Sequence, residues 1–282
     1  MAIVPKIEYE TVLQERLAAP TVWKEVCLVK FTNNGIWRNP YLTDATKGTG
    51  TRGTGYTSTA IATTDDTVTI SDYIYSAEHI DDADLAVKTF SDFMEIATRM
   101  GDILDEGMET AMLAEHAQWT NFDNASIGGA AGNITVAVTN IKSIITGIKR
   151  EIREAGGGKM LAKNGGFIIW READFEKVEQ LASSEGYNTA DDALKNGIKQ
   201  GFKYLGMEHY SSSYHTSGHV FAGVKKAFAV GIIQATYGRV KEIVNPVVGG
   251  AQISGIGLET RIDSKFKAWT KMIPVLFDVL VA

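Results

Sequence analysis

Cysteine is nearly absent. The 282-residue chain holds one, Cys27, so no intrachain disulfide framework can form and no cysteine cluster is available to a metal. Cys27 lies in the apolar run EVCLVKF, which predicts a buried thiol and fits folding in a reducing cytoplasm. Proline is scarce, with five residues against 28 glycines, so the chain can bend often without being broken often. An excess of positive charge is also lacking. The net charge is −6 and the sequence pI about 5.5, which argues against a dedicated nucleic-acid binder with a basic face. Long hydrophobic runs are missing too. The most apolar window, MIPVLFDVLVA, falls short of the roughly 20 residues that a helix needs to cross a bilayer, and it carries Pro274 and Asp278. The opening MAIVPKIEYE has no basic-then-apolar signal pattern. These absences together predict a soluble protein with no membrane contact.

What is present is ordinary globular material, 44% hydrophobic and 22% charged, enough for one large or two smaller domains. A short amphipathic segment from Ile7 to Ala18 stops at Pro20. Residues 43–69 are rich in threonine and glycine and show no helix-period apolar face. Through DDTVTISDYIYSAEH, apolar and polar residues then alternate with period two, the pattern of a half-buried strand. Two extended arms around a Gly/Thr-rich tip make a projecting β-loop. Next, Phe90, Phe93, Met94, Ala97, Met100, Leu104, Met108, Ala111 and Met112 recur every three or four positions as one helical stripe. Asp81, Asp82 and Asp84 sit where a helix N-terminus favours acids, and Glu95 and Arg99 form an i,i+4 pair. Such a helix would run roughly 50 Å at 1.5 Å per residue. Gly101 and Gly107, each costing about 1 kcal/mol against alanine, mark a bend or close packing.

Beyond this helix the signals alternate. Residues 120–133 read as a loop. NIKSIITGIKREIREAG reads as an amphipathic helix with Asn140 as a candidate cap and Gly156 as a stop. GFIIW is a short buried strand, and READFEKVEQLASS and TADDALKNGIKQGF are two further helices. HVFAGV and AFAVGII are strands separated by Lys225 and Lys226, followed by GRVKEIV. Alternation returns from Ile253 to Leu280, which reads as a long strand pair.

Sequence motifs with chemical meaning fail on their context. Gly48-Thr49-Gly50-Thr51-Arg52-Gly53 is a literal G-x-G-x-x-G, but a dinucleotide site needs a strand before it and a helix after it. NPYLTDATK precedes it and TGYTSTAIATTDDTVTI follows, dense in residues that disfavour helix. GGGKML lacks the glycine and the Ser/Thr of a P-loop, since those positions hold Arg153 and Met160. NASIGG has Asn124 where a nucleophile elbow needs glycine, and reads as a turn. His209, His215 and His219 crowd into HYSSSYHTSGH. Three histidines could ligate a metal, but without H-E-x-x-H spacing or a cysteine the favoured reading is a surface turn with solvated or hydrogen-bonded rings. His79 and His116 stand alone. No catalytic residue, cofactor site or metal site is expected.

The order of parts carries more than any motif. The stretch VTISDYIYSAEHIDDADLAVKTFSDFMEIATRMGDILDEGMETAMLA resembles the major capsid proteins of tailed phages, the Hong Kong 97 fold: a strand of the extended loop, an acidic turn, then a spine helix. The family's Ala-x-x-Met/Leu-Gly/Ala-x-x-Leu/Ile-Asp stretch corresponds to Ala97, Met100, Gly101, Ile103, Leu104 and Asp105. The ending GLETRIDSKFKAWTKMIPVLF is similar to the family's closing strands. The resemblance implies an α+β fold with an N-terminal arm over 1–33 and an extended β-hairpin loop over 34–78. It implies a peripheral domain over 79–133 and 246–282, with its spine helix at about 82–119, and an axial α/β domain over 134–245.

The function it implies is self-assembly, as hexamers and pentamers, into an icosahedral shell around double-stranded DNA. No catalysis and no sequence-specific DNA contact are needed. The subunit would reside in the virion after assembly in the host cytoplasm. A scaffold protein, if used, would be separate, since the chain has no room for a scaffolding segment; portal and decoration proteins are further partners. In the fold's namesake a loop lysine is joined to an asparagine of another subunit. Lys47 is a loop lysine here, but the asparagine and its helper acid find no match. Lys47, Gly48, Gly50, Arg52, Gly53 and Tyr56 are the candidate intersubunit contacts of the loop. A nanocompartment shell of the same fold, and a soluble α/β enzyme, are the competing readings.

Overall fold

The computed structural model describes residues 21–42, 48, 49, 52, 55, 60–81, 90–184, 201–248, 250–252 and 254–282. Strands are β1 (Leu28–Thr32), β2 (Ile36–Leu42), β3 (Thr63–Thr69), β4 (Asp72–Asp81), β5 (Thr120–Phe122), β6 (Gly166–Arg171), β7 (Phe202–Tyr204), β8 (Met207–Ser212), β9 (His219–Val224), β10 (Phe228–Ile233), β11 (Val240–Val244), β12 (Val247–Val248), β13 (Ala251–Gln252), β14 (Gly255–Ala268) and β15 (Leu276–Leu280). Helices are α1 (Trp23–Val26), α2 (Phe90–Ala114), α3 (Ile141–Glu154), α4 (Gly158–Asn164) and α5 (Glu172–Ser184).

Two mixed sheets form the body. In the five-stranded sheet, β14 is the axis. One edge takes β4 antiparallel over ten residues, from Gly255 opposite Asp81 to Ser264 opposite Asp72. The other edge takes β11 along its first half and β10 along its second, and β1 runs parallel outside β10. The six-stranded sheet has the order β5-β15-β9-β6-β8-β7. Its parallel pair β6 and β8 needs a crossover, and α5 lies in that connection. A continuous apolar core joins both sheets, from Trp23 and Val26 through Leu104, Met108 and Met112 to Phe167, Phe221, Phe228 and Phe266.

The sequence periods explain the elements. In α3, Ile141, Ile144, Ile145, Ile148 and Ile152 are fully buried, a 3.6-period stripe in which each side chain contributes roughly 1.5–3 kcal/mol by leaving water. Asn140 stands at the N-cap, yet its side chain works upstream: Oδ1 accepts from Ala137 N–H at 2.9 Å and Nδ2 donates to the Thr135 carbonyl at 2.9 Å. Gly156, at φ +80°, ends the helical run. Among the described side chains of α2 the buried ones are Met100, Leu104, Met108, Glu109, Met112 and Leu113. The two glycines of α2 differ. A Cβ on Gly107 would stand 2.7 Å from Ile74 Cγ2, so the helix presses onto β4 there, while one on Gly101 would meet nothing within 4 Å.

Several expectations change. Of the helix expected at about 82–119, residues 82–89 lie outside the described residues, 90–114 are α-helical, and Glu115–Gln118 tighten to a 3₁₀ turn. The expected loop at 120–133 holds β5, parallel to β15, and a 3₁₀ turn at Asn124–Ile127 capped by Asp123. The strands from Ile253 to Leu280 are not a pair. A turn after Trp269 and the 3₁₀ turn Ile273–Val275, with Pro274 at its start, carry the chain from the five-stranded sheet into the six-stranded one. Of residues 1–33, the described part from 21 onward is built into the body: Trp23 and Val26 are buried, and β1 lies beside β10. Of residues 34–78, the hairpin is β2 with β3, while β4 lies along β14. The helix read in TADDALKNGIKQGF falls on 189–202, of which 189–200 lie outside the described residues.

Candidate functional site

The projecting loop is a two-stranded ribbon. β2 and β3 pair antiparallel from Ile36 opposite Thr69 to Leu42 opposite Thr63, and β2 alternates between exposed and half-buried side chains. Its root is fastened. Asp66 accepts from the Thr270 N–H at 2.9 Å and from Thr270 Oγ1 at 2.6 Å. Trp37 meets Trp269 edge to face at 4.8 Å, Lys267 Nζ donates to the Thr67 carbonyl at 3.0 Å, and Val68 packs with Ala229 and Trp269. Ile36, beside the root, and Leu42 and Ile61, farther out, are 50%, 60% and 62% exposed.

Of the six loop residues singled out, Gly48 and Arg52 are described and both are exposed. A Cβ at Gly48 would meet nothing within 4 Å. Lys47, Gly50, Gly53 and Tyr56 lie outside the described residues. Among the described residues, the first regular element after the G-x-G-x-x-G string is a strand, β3, and not the helix that a pyrophosphate site requires. In GGGKML, Gly157 answers to packing: a Cβ there would lie 2.5 Å from Val275 Cγ1.

The histidine trio dissolves. His209 is fully buried, which corrects the surface-turn reading: it sits on β8, inside the six-stranded sheet. Trp170 Nε1–H donates to its Nδ1 at 2.9 Å, so Nε2 carries the proton and faces the Tyr204 carbonyl at 3.1 Å. Burial pushes its pKa down to about 4. His215 stacks on Phe221 at 5.2 Å, and burial likewise holds it near 4. His219 joins a different pair. His219 Nδ1 lies 2.9 Å from both oxygens of Asp278, and His116 Nδ1 lies 3.3 Å from Asp278 Oδ2. The two imidazole centroids are 4.1 Å apart, with planes tilted by 36°. Asp278 is 2% exposed. No sequence spacing marks this cluster, because its members come from the turn after α2, from β9 and from β15.

Other perturbed groups are enclosed. Glu109 of α2 is fully buried, and its Oε2 accepts from the Val22 and Trp23 N–H groups at 3.0 and 2.9 Å. Desolvation outweighs those two bonds and raises its pKa to about 7. Burial pushes the Cys27 thiol well up, and Glu109 adds to the effect. An open depression of about 410 Å³ is lined by Lys149, Arg153, Leu161, Lys203 and Glu208 among others. Its carboxylate is already paired with Lys203 and Lys225, and Lys149 donates to the Leu205 carbonyl at 2.6 Å. No described helix is long and apolar enough to cross a membrane.

No family model and no curated protein matches the chain. Solved structures do. A structure of Mycobacterium phage Che8 is similar at TM-score 0.69 and 12% identity, covering 98% of this chain and 97% of that one. The capsid structure of cyanophage P-SCSP1u gives 0.63 and 13%, covering 98% and 93%. The mature capsid of bacteriophage PhiM1 gives 0.61 and 12%, covering 99% and 92%. At such identities the likeness is one of fold, and it runs the whole length of both chains: the protein has the α+β fold of phage capsid proteins, the Hong Kong 97-type fold that the order of its parts led us to expect.

Proposed function

We propose that the chain is the major capsid protein of a tailed phage, and that copies of it assemble as hexamers and pentamers into an icosahedral shell enclosing double-stranded DNA. The observation that carries the reading is end-to-end similarity to phage capsid structures in both directions, with no large part left over on either side. The ribbon supports it. A hairpin fastened at its root, with Ile36, Leu42 and Ile61 facing solvent, gains little for a lone subunit; it gains when a neighbouring copy covers it. The role is structural, not catalytic, in keeping with perturbed groups such as Glu109 and His209 that are sealed in the core.

In this reading residues 1–33 hold the arm, whose described end from 21 onward is built into the body. Residues 34–78 hold the extended loop, with β2 and β3 as its described hairpin and β4 returning along β14. Residues 79–133 with 246–282 form the peripheral domain, and 134–245 the axial domain that meets its copies at capsomer centres. The loop residues Lys47, Gly48, Gly50, Arg52, Gly53 and Tyr56 contact a neighbouring subunit. A separate scaffold, a portal and decoration proteins are the further partners, and assembly takes place in the host cytoplasm. A net charge of −6 suits a wall that must not hold packaged DNA tightly. Negative-stain electron microscopy of the purified chain tests this: shells, capsomers or sheets are expected, and a uniform monomer or dimer with bound nucleotide would contradict it. Nuclease-resistant DNA within particles purified from their natural host separates a virion from a nanocompartment, which would hold an enzyme.

A further inference from the structure

His116, His219 and Asp278 have no part in the shell reading, and they are the one group of three possible metal ligands found together among the described residues. Their ligand atoms all lie within 4.8 Å of one another. The carboxylate poses an electrostatic problem. Asp278 is 2% exposed on β15, a strand covered on both edges by β5 and β9, and its only ion-pair partners among the described residues are the two imidazoles. A buried carboxylate needs a compensating positive charge. One protonated ring would supply that charge, but it leaves the second ring, its centroid 4.1 Å away at a tilt of 36°, directing its Nδ1 at the same carboxylate with no charge left to meet. One divalent cation would instead satisfy the carboxylate and both neutral rings.

We infer that His116, His219 and Asp278 form a binding site for a divalent transition-metal ion, with Zn²⁺ as the best-fitting occupant. Two imidazole nitrogens and one carboxylate oxygen are the donor types that Zn²⁺ takes, and bonds of about 2.0–2.1 Å set ligand-to-ligand edges of roughly 3.3 Å in a tetrahedron. The distances from His116 and His219 Nδ1 to Asp278 Oδ2, 3.3 and 2.9 Å, are near that edge already, and the third edge, between the two imidazole nitrogens, lies within 4.8 Å, so the two rings draw together to close on the ion. Both histidine side chains are about a quarter exposed, at 24% and 22%, which gives the ion a way in and leaves the fourth position to water. Hard cations such as Mg²⁺ and Ca²⁺ prefer all-oxygen sites and fit less well. The ion would tie the 3₁₀ turn ending the long helix to β9 and β15, a cross-link in a chain that has no disulfide.

The test uses the full-length chain, freed of metal by chelation and titrated with Co²⁺ alone and then with Zn²⁺. One equivalent of Co²⁺ per subunit should produce the strong visible absorption of four-coordinate cobalt, Zn²⁺ should displace it, and the thermal midpoint should rise on loading. His219→Gln and His116→Gln should each weaken binding at least tenfold, while the exposed His79→Gln should not change it. Circular dichroism of each variant shows that it is folded. Asp278→Asn is a further arm, and if it fails to fold the two histidine variants decide. Absence of saturable binding by the folded wild-type chain, or unchanged binding in both folded histidine variants, overturns the site. The measurement is made on subunits, so its outcome is independent of whether they assemble.

Discussion

The ribbon of β2 and β3 and the strand β10 are both regular β-structure, and they differ in what holds them. Every residue of β10 from Phe228 to Ile232 is buried, between β1 and β14. β2 alternates exposed and half-buried positions, and its partner β3 buries only Asp66 and Val68. Ordering a backbone residue costs roughly 1–2 kcal/mol. β10 recovers this cost through burial within its own chain. The ribbon recovers it at its root, through Trp37, Val68 and Asp66, and in the proposed shell the remainder comes from a neighbouring copy. In the proposed shell the difference separates a part that folds for itself from a part that a neighbour completes.

The largest expected effect lies in the body. Trp170→Ala should destabilise the subunit by about 3–5 kcal/mol, since it opens a cavity and strands His209 Nδ1 without its donor; urea unfolding reads this. A loss below 1 kcal/mol would mean that the six-stranded sheet is not the stabilising unit.

Next is Glu109, which holds the start of the described chain to α2. Its folded pKa, about 7, lies above the ordinary value of 4.5. Between those values the folded state keeps a proton that the unfolded state has released, so stability should fall as pH rises from 4.5 through 7, by at most about 3 kcal/mol. Below 4.5 the contribution is fully present. Unfolding free energies measured across this range should slope downward in the wild type and lose that component in Glu109→Gln; equal slopes would contradict the assignment.

At the root of the ribbon, Asp66→Ala removes the acceptor of the Thr270 N–H and should cost about 1–3 kcal/mol. Faster amide exchange should be confined to 36–42 and 63–69. Exchange that spreads equally into β10 would erase the distinction between the two regions. The smallest effect on the subunit belongs to the outer ribbon. Leu42→Ser, at a 60% exposed position, should change stability by no more than about 0.5 kcal/mol while reducing the yield of assembled particles. Replacing Lys47 and Arg52 together should do likewise, and assembly by the unaltered chain should weaken as salt rises.

Much of this architecture could be read from periodicity. The stripe of isoleucines in α3, the alternation in β3 and β4, and the glycine stop at Gly156 are local signals, and each element formed where its signal lay. The order of those elements sufficed to suggest the capsid fold at 10–14% identity. What could not be read was long-range. β14 and β15 carry the same alternation, and nothing in it says that they belong to different sheets. His209 sits among serines and tyrosines, and its burial follows from Trp170, 39 residues away. His116 stands 162 residues from Asp278, so the cluster has no spacing to recognise. The charged tip of the loop was legible as a motif, and the role proposed for it needs a second copy that one sequence does not display.

The account rests on the claim that the ribbon is completed by a neighbouring subunit, and hydrogen–deuterium exchange on assembled particles against dissociated subunits tests it most directly. Residues 36–42 and 63–69 should gain strong protection on assembly, while β10 should stay equally protected in both forms. Equal exchange of the ribbon in particles and in free subunits would contradict it.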